Sequence, residues 1–406
     1  MRKPAQAVAV LVSTLFSLAL LLWLHPFLRM SNVLDRLFGV PPKWTQVDDL
    51  YKNPNTQEVT HGDAPVPSLK LLDTYWGAHP NATRILFVGN SQMHSISLAK
   101  GEAKPTGPET TYVDQIADRL AQHSANALTY RLSSSGMSYP EVLWDLMYMM
   151  ERPGLKPDAI VMQLNYQAFW TGGIRDSILG LLDDAQFRAQ IVTASQTNAP
   201  YSSAFQDALR RYDEREGSHK TASAGSNGPA TTFSASATPG YAIETVARGL
   251  LDHSTEFRSR ALAKDDIIDF LYRCRLYFLR LKPSTARSVT GGRLLAAQAA
   301  VLAIVRLCRV AKVQLFLFSA PVNPLVSLYR TPEDHANFHR FIQQAAEENR
   351  GPLYDFEDAI DASHWGNLLN GPDPLHLGRA AHAFLAREMY AKIPLEQVAN
   401  RAGGQR

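Results

Sequence analysis

The chain is poor in cysteine: its 406 residues include only two, Cys274 and Cys308, so a disulfide-stapled fold is excluded. An oxidising compartment would permit one bridge between them. If residues 266–282 and 293–310 form antiparallel helices joined by a short loop, however, the two cysteines stand at unequal distances from it, which favours two buried thiols. No G-x-x-x-x-G-K-[ST] or G-x-G-x-x-G loop is present, and no Cys/His cluster has metal-ligand spacing, so neither a nucleotide nor a metal cofactor is expected. Charge of one sign is also lacking. The 41 Lys and Arg stand against 38 Asp and Glu, a net charge of +3, too small to mark a nucleic-acid surface or an acidic tail. Basic residues gather only between 258 and 287, where most alternate with apolar residues in helical periodicity. That pattern reads as the solvated face of a helix, with contact to anionic lipid or glycan as the sharper alternative.

What the chain has is apolar residue. At 45% hydrophobic and 19% charged it can bury a full core. The first apolar run is N-terminal: Arg2 and Lys3 precede an uncharged stretch over residues 4–24, and about 20 apolar residues suffice to cross a bilayer as a helix. The run exceeds the core of a cleaved signal peptide, and no small-x-small site follows it, so a retained signal anchor is expected over residues 1–30. The preceding charges are expected to set the N-terminus in the cytoplasm, with everything after Leu24 outside, in a periplasm-like or lumenal space. A linker and lead-in helix over residues 31–80, with a Pro-rich polar loop at 39–67, then lead to a main domain at 81–400.

Within that domain strand and helix alternate. Residues 85–88, 128–132, 159–164, 313–318 and 353–356 are mostly continuous apolar runs, as strands of a sheet covered on both faces should be. Helical patterns cover 69–76, 113–122 and 380–393, and Ser138 with Glu141 three residues on forms a capping-box signature for another. The alternation predicts an α/β fold, a three-layer doubly wound parallel sheet whose ligands bind outside the C-terminal strand ends. An insertion at 169–290 interrupts it. Its middle, 217–240, is too poor in large apolar residues to pack and is expected to be a loop, with helical flanks at 177–212 and 241–282. Such an insertion can be a lid, a docking surface or a peripheral decoration.

The strand at 85–88 runs into Gly89-Asn90-Ser91, and Asp373-Pro374-Leu375-His376 stands just before the last helix. A serine hydroxyl is a poor nucleophile at neutral pH unless a base lies within hydrogen-bond reach and an acceptor fixes that base's tautomer. Ser91, His376 and Asp373 supply these three roles in order. Gly136 lets a backbone N–H approach a reacting oxygen closely, and Asn165, closing the third strand, can aim its amide the same way. A second Asp-x-x-His pair, Asp361 and His364, falls in a Trp- and Asn-rich loop and is disfavoured by position. His94 follows Ser91 on what reads as a helix and is expected to be a solvated neighbour.

Ser91, Gly136, Asn165 and His376, in this order, resemble the four signature positions of the SGNH (GDSL-type) hydrolases. Gly89-Asn90-Ser91 resembles the first block, with Asn90 where Asp is usual. Gln163-Leu164-Asn165-Tyr166 resembles G-x-N-D, with Gln163 for the glycine and Tyr166 for the Asp, and Asp373–His376 resembles D-x-x-H. The departures bear on loop architecture, and Gln163 narrows the space beside Asn165. The resemblance implies a serine esterase or O-acyltransferase with the triad Ser91, His376 and Asp373, an oxyanion hole from Ser91, Gly136 and Asn165, and no cofactor. The tethered, outward-facing domain is similar in organisation to SGNH-type proteins that acylate exported glycans beside a multispanning membrane acyltransferase. It implies an acyl-ester donor and a glycan or polyol acceptor. The alternative is a non-catalytic glycan-binding or assembly subunit, motivated by Asn90, Gln163 and Tyr166.

Overall fold

Alternation of apolar side chains along five neighbouring strands builds the centre of the molecule. The computed structural model describes residues 45–46, 50–52, 59–62, 65–97, 110–123, 127–134, 136–170, 173–223, 289–368 and 371–401. The expected N-terminal span, the basic stretch at 258–287, the insertion from 224 to 288 and Cys274 lie outside the described residues. Among the described residues no helix is long and apolar enough to cross a membrane.

In chain order the elements are β1 (Thr45–Gln46), β2 (Leu50–Lys52), β3 (Val59–Gly62), α1 (Pro65–Gly77), β4 (Thr83–Asn90), β5 (Ser95–Ile96), α2 (Tyr112–His123), β6 (Ala127–Ser134), α3 (Tyr139–Met150) and β7 (Ala159–Leu164). There follow α4 (Ala185–Ser195), α5 (Ser202–Ser223), α6 (Gly292–Val310), β8 (Gln314–Ser319), α7 (Pro332–Asn349), β9 (Leu353–Asp355), β10 (Trp365–Leu368), β11 (Gly371–Leu377), α8 (Arg379–Lys392) and α9 (Leu395–Arg401). The seven-stranded sheet has the order β2-β3-β6-β4-β7-β8-β9. All its pairings are parallel except β2 with β3. Chain progression runs from β4 outward to β6, then reverses to β7, β8 and β9, so the switch point lies between β4 and β7. Ligand crevices form at such a point, outside the C-terminal strand ends.

Successive strand residues point to opposite faces. Leu86, Val88, Ile160, Met162, Leu315 and Leu317 join one core with side chains from α1, α3, α6 and α7. Ile85, Phe87, Val161, Phe316 and Phe318 join the other with α2, α8 and α9. Each such fully buried large side chain contributes about 1.5–3 kcal/mol. The two cores make this the expected three-layer arrangement.

Several sequence expectations are corrected. The segment 39–67, read as loop, carries β1, β2 and β3, and β3 pairs with β6 through His61 opposite Arg131. The helix α5 continues to Ser223, past Gly217 where the insertion's loop was expected to begin. Trp144 of α3 packs edge-on against Phe187 of α4 and Phe205 of α5, at 5.4 and 5.3 Å between ring centroids, so this flank of the insertion extends the helical layer over α3. Ser138 caps α3 as expected, but the Glu141 carboxylate binds Arg175 instead of returning to the cap. Cys308 is a buried thiol whose pKa burial pushes up to about 12.

Candidate active site

The strand β4 delivers Ser91 to the switch point. The helix expected after Ser91 is a single 3-10 turn, Ser91–Met93, leading into β5. A serine there could merely cap the turn, but the cap is Asn90, whose Oδ1 accepts the Gln92 N–H at 3.1 Å. Asn90 therefore caps the turn and leaves the Ser91 hydroxyl to other partners. Ser91 Oγ lies 3.1 Å from His376 Nε2, and His376 Nδ1 lies 3.1 Å from Asp373 Oδ2. The second carboxylate oxygen of Asp373 accepts the N–H groups of Leu375 and His376 at 2.9 and 3.0 Å. A polar turn and an imidazole orienter are thus built from one buried carboxylate.

Burial raises the Asp373 carboxyl pKa, but the adjacent His376 and the hydrogen bonds it accepts outweigh burial and hold it below the usual carboxylate value. The pair sits on β11, which forms a hairpin with β10, where the sequence reading expected a strand-to-helix loop. Asn323 donates from Nδ2 to the Asp373 carbonyl at 2.8 Å and fixes that strand from the β8 side. The competing pair is elsewhere. His364 ends a separate 3-10 turn, and its carbonyl accepts the Gly378 N–H at 3.0 Å. His94, expected to be solvated, is buried with Nδ1 2.9 Å from Ser133 Oγ.

Gly136 and Asn165 leave the two strands that flank β4. Register pairs Gly89 with Ser133 and Asn90 with Ser134, so the turn after β6 emerges beside Ser91. Gly136 in that turn has φ 71°, a left-handed conformation that suits glycine. Asn165 follows β7 and uses Oδ1 to accept the Gln167 N–H at 2.8 Å, leaving its Nδ2 buried with no partner. A buried amide donor left unmatched costs about 1–3 kcal/mol, and its retention is what an awaiting oxyanion would explain. The Tyr139 hydroxyl steadies this strand end by accepting the Asn165 N–H at 2.9 Å. Its role was not readable from the sequence.

The least expected component is Gln163. It is buried under the nucleophile turn, where its Oε1 accepts the Asn90 N–H at 3.1 Å and its Nε2 donates to Gln92 Oε1 at 2.6 Å. Gln92 Nε2 in turn donates to the Pro321 carbonyl at 2.8 Å. Buried and mutually satisfied amides of this kind rigidify what they connect, here β7, the Ser91 turn and the segment after β8. From the other face, the buried Arg131 donates to the Met93 carbonyl at 3.2 Å and to Thr111 Oγ1 at 3.1 Å, and it lies 3.7 Å from the Asp114 carboxylate. Tyr166, the other departure, packs its ring 4.5 Å from Tyr329 and 5.5 Å from Phe338.

The approach of Gln163 explains Gly89. A Cβ there would stand 2.5 Å from Gln163 Oε1 and 2.7 Å from Met93 Cε. Gly89→Ala is therefore expected to lower stability by about 1–3 kcal/mol, read as a reduced midpoint of thermal unfolding.

No protein-family model matches the chain, and no curated protein matches it in sequence. Among solved structures it is similar to the acetylxylan esterase Axe2 of Geobacillus stearothermophilus, with TM-score 0.35 and 13% identity over 77% of this chain and 94% of that one. It is also similar to an M. smegmatis aryl esterase, with TM-score 0.31 and 12% identity over 77% of this chain and 98% of that one. Likeness at this level assigns neither family nor activity.

Proposed function

We propose that the chain is a serine acyl-transfer enzyme of the SGNH type, acting through an acyl-Ser91 intermediate on ester bonds of the cell envelope. The supporting observation is the continuous hydrogen-bonded series from Ser91 Oγ through His376 to the buried Asp373. In the proposed reaction the Ser91 Oγ–C bond forms as the hydroxyl proton passes to His376 Nε2, and Asp373 stabilises the resulting imidazolium. The Ser91 N–H, the Gly136 N–H and Asn165 Nδ2 hold the oxyanion. The ester C–O bond then breaks and the leaving alcohol takes the proton from His376. Water, or a sugar or polyol hydroxyl, next attacks the acyl carbon as His376 Nε2 takes its proton; the acyl C–Oγ bond then breaks and Ser91 Oγ takes that proton back from His376. Water makes the protein an esterase; a hydroxyl makes it an O-acyltransferase.

The uncharged stretch at residues 4–24 supports a single N-terminal anchor with the domain outside the cytoplasmic membrane. In that setting an exported glycan is the acceptor and a multispanning acyltransferase the donor's carrier. Resistance of the full chain to alkaline extraction from membranes, and its loss on deleting residues 1–30, tests the anchor. Acceleration of acyl release by added glycan separates transfer from hydrolysis. The departures Asn90, Gln163 and Tyr166, which motivate a non-catalytic binding subunit, each have a capping, bridging or packing role beside a Ser91 that faces His376, and this favours the catalytic reading.

If Asn165 Nδ2 serves the oxyanion, Asn165→Ala should lower kcat by about 10²- to 10³-fold with little change in KM. An unchanged kcat would remove Asn165 from the proposed hole.

A further inference from the structure

We propose that His335, His339 and Glu357 form a binding site for a divalent transition-metal ion of the zinc class, separate from the Ser91 site. His335 and His339 are four residues apart on α7, so both rings project from one helix face. Their centroids are 4.4 Å apart. Both present the same nitrogen to one carboxylate: His335 Nε2 lies 2.9 Å from Glu357 Oε1, and His339 Nε2 meets Glu357 Oε2. The three donor atoms all lie within 4.8 Å of one another. Ligands around a tetrahedral zinc, with bonds of about 2.0–2.2 Å, stand about 3.3 Å apart. Small ring rotations would therefore seat an ion between them.

The site has the supporting shell that metal ligands need. Glu357 is buried, and its Oε1 accepts a hydrogen bond from the Tyr329 hydroxyl at 3.1 Å. Its backbone is fixed at both ends: its N–H donates to Asp355 Oδ1 at 3.1 Å, and its carbonyl accepts the Val322 N–H at 2.9 Å. Two imidazoles and a carboxylate are a ligand set suited to zinc and its neighbours and ill suited to magnesium or calcium. On binding, each neutral ring carries its proton on Nδ1 and offers the Nε2 lone pair. His335 is half exposed, which leaves ions a path to the site.

The sequence shows His335 and His339 at an H-x-x-x-H ligand spacing, contrary to the expectation of none, but its third ligand lies on another element, beyond the end of β9. A bound ion would clip α7 to that segment. The neighbouring Val322–Asn323 stretch carries the clip toward the Asp373 carbonyl.

The test is a Zn²⁺ titration of the full chain in detergent, in competition with a chromophoric chelator, beside His335→Ala and His339→Ala. The expected result is one tight equivalent in the wild type, a higher thermal midpoint with Zn²⁺, and affinity at least about 10-fold weaker in either variant. Co²⁺ in place of Zn²⁺ should give visible absorption bands that both variants lack, and Mg²⁺ should not compete. Glu357 is buried, so its variants can unfold; His335 is partly exposed, and His335→Ala keeps the test decisive. Absence of a tight equivalent in the wild type, or equal affinity in folded His335→Ala, would overturn the proposal.

Discussion

Replacing Ser91 with alanine is expected to lower ester turnover by about 10⁴- to 10⁶-fold while leaving the fold unchanged. The size follows from the proposed role, since Oγ is the atom that bonds to the acyl carbon and it lies 3.1 Å from His376 Nε2. The residual rate should come from the oxyanion donors and from substrate binding, so KM should change little. Stability is expected to hold because Asn90, not Ser91, caps the turn, and Gln163 and Arg131 fix it from either side. Initial rates with an activated ester, beside thermal unfolding of both proteins, check both halves. A comparable loss of stability would mean that Ser91 is structural.

Asp373→Asn should cost about 10⁴-fold in turnover, for a different reason. Asp373 uses one oxygen for two backbone N–H groups and the other for His376 Nδ1. An asparagine that keeps the backbone bonds must turn its NH₂ toward the ring. His376 then accepts at Nδ1, carries its proton on Nε2, and cannot take one from Ser91. The pH dependence of stability should change as well. With its folded pKa depressed, Asp373 contributes stability that is present above the unfolded carboxylate value, about 3.9, and is lost as pH falls through the lower folded value. Asp373→Asn should lack this acid-side decline, which thermal midpoints measured from neutral pH downward would detect. An unchanged rate in the asparagine variant would show that His376 needs no carboxylate partner.

The centre of the fold was legible because β4, β7 and β8 carry nearly continuous apolar runs, as a sheet covered on both faces requires. The approach of His376 and Asp373 to Ser91 was legible because acyl-transfer chemistry restricts residue type, and Ser91 and Asn165 stand at C-terminal ends of neighbouring parallel strands. The choice of His376 over His364 also agrees with the geometry. Less legible were β2 and β3. Their residues are polar and short in run, and β3 is held by register with β6, a pairing that no local pattern announces. The helix α7 carries a readable signal, the Thr331 and Asp334 capping box with Pro332 in the first turn, yet its low apolar content obscured it.

Gln163 marks a deeper limit. In sequence it is a departure that narrows a pocket. In the fold it holds the Asn90 N–H, reaches Gln92, and restricts position 89 to glycine. Arg131 and Tyr139 act in the same way, gripping a strand end or the nucleophile turn through atoms distant in the chain. Such roles depend on tertiary contacts alone, so residue type and spacing do not reveal them.

Brief exposure of the full chain to an activated acetyl ester, followed by intact-mass spectrometry and peptide mapping, tests the proposed chemistry most directly. One acetyl group on the wild type, mapped to Ser91 and absent from Ser91→Ala, is the predicted result. A folded wild type that neither gains an acetyl group nor turns over the ester, or a Ser91→Ala protein that still does both, would contradict it.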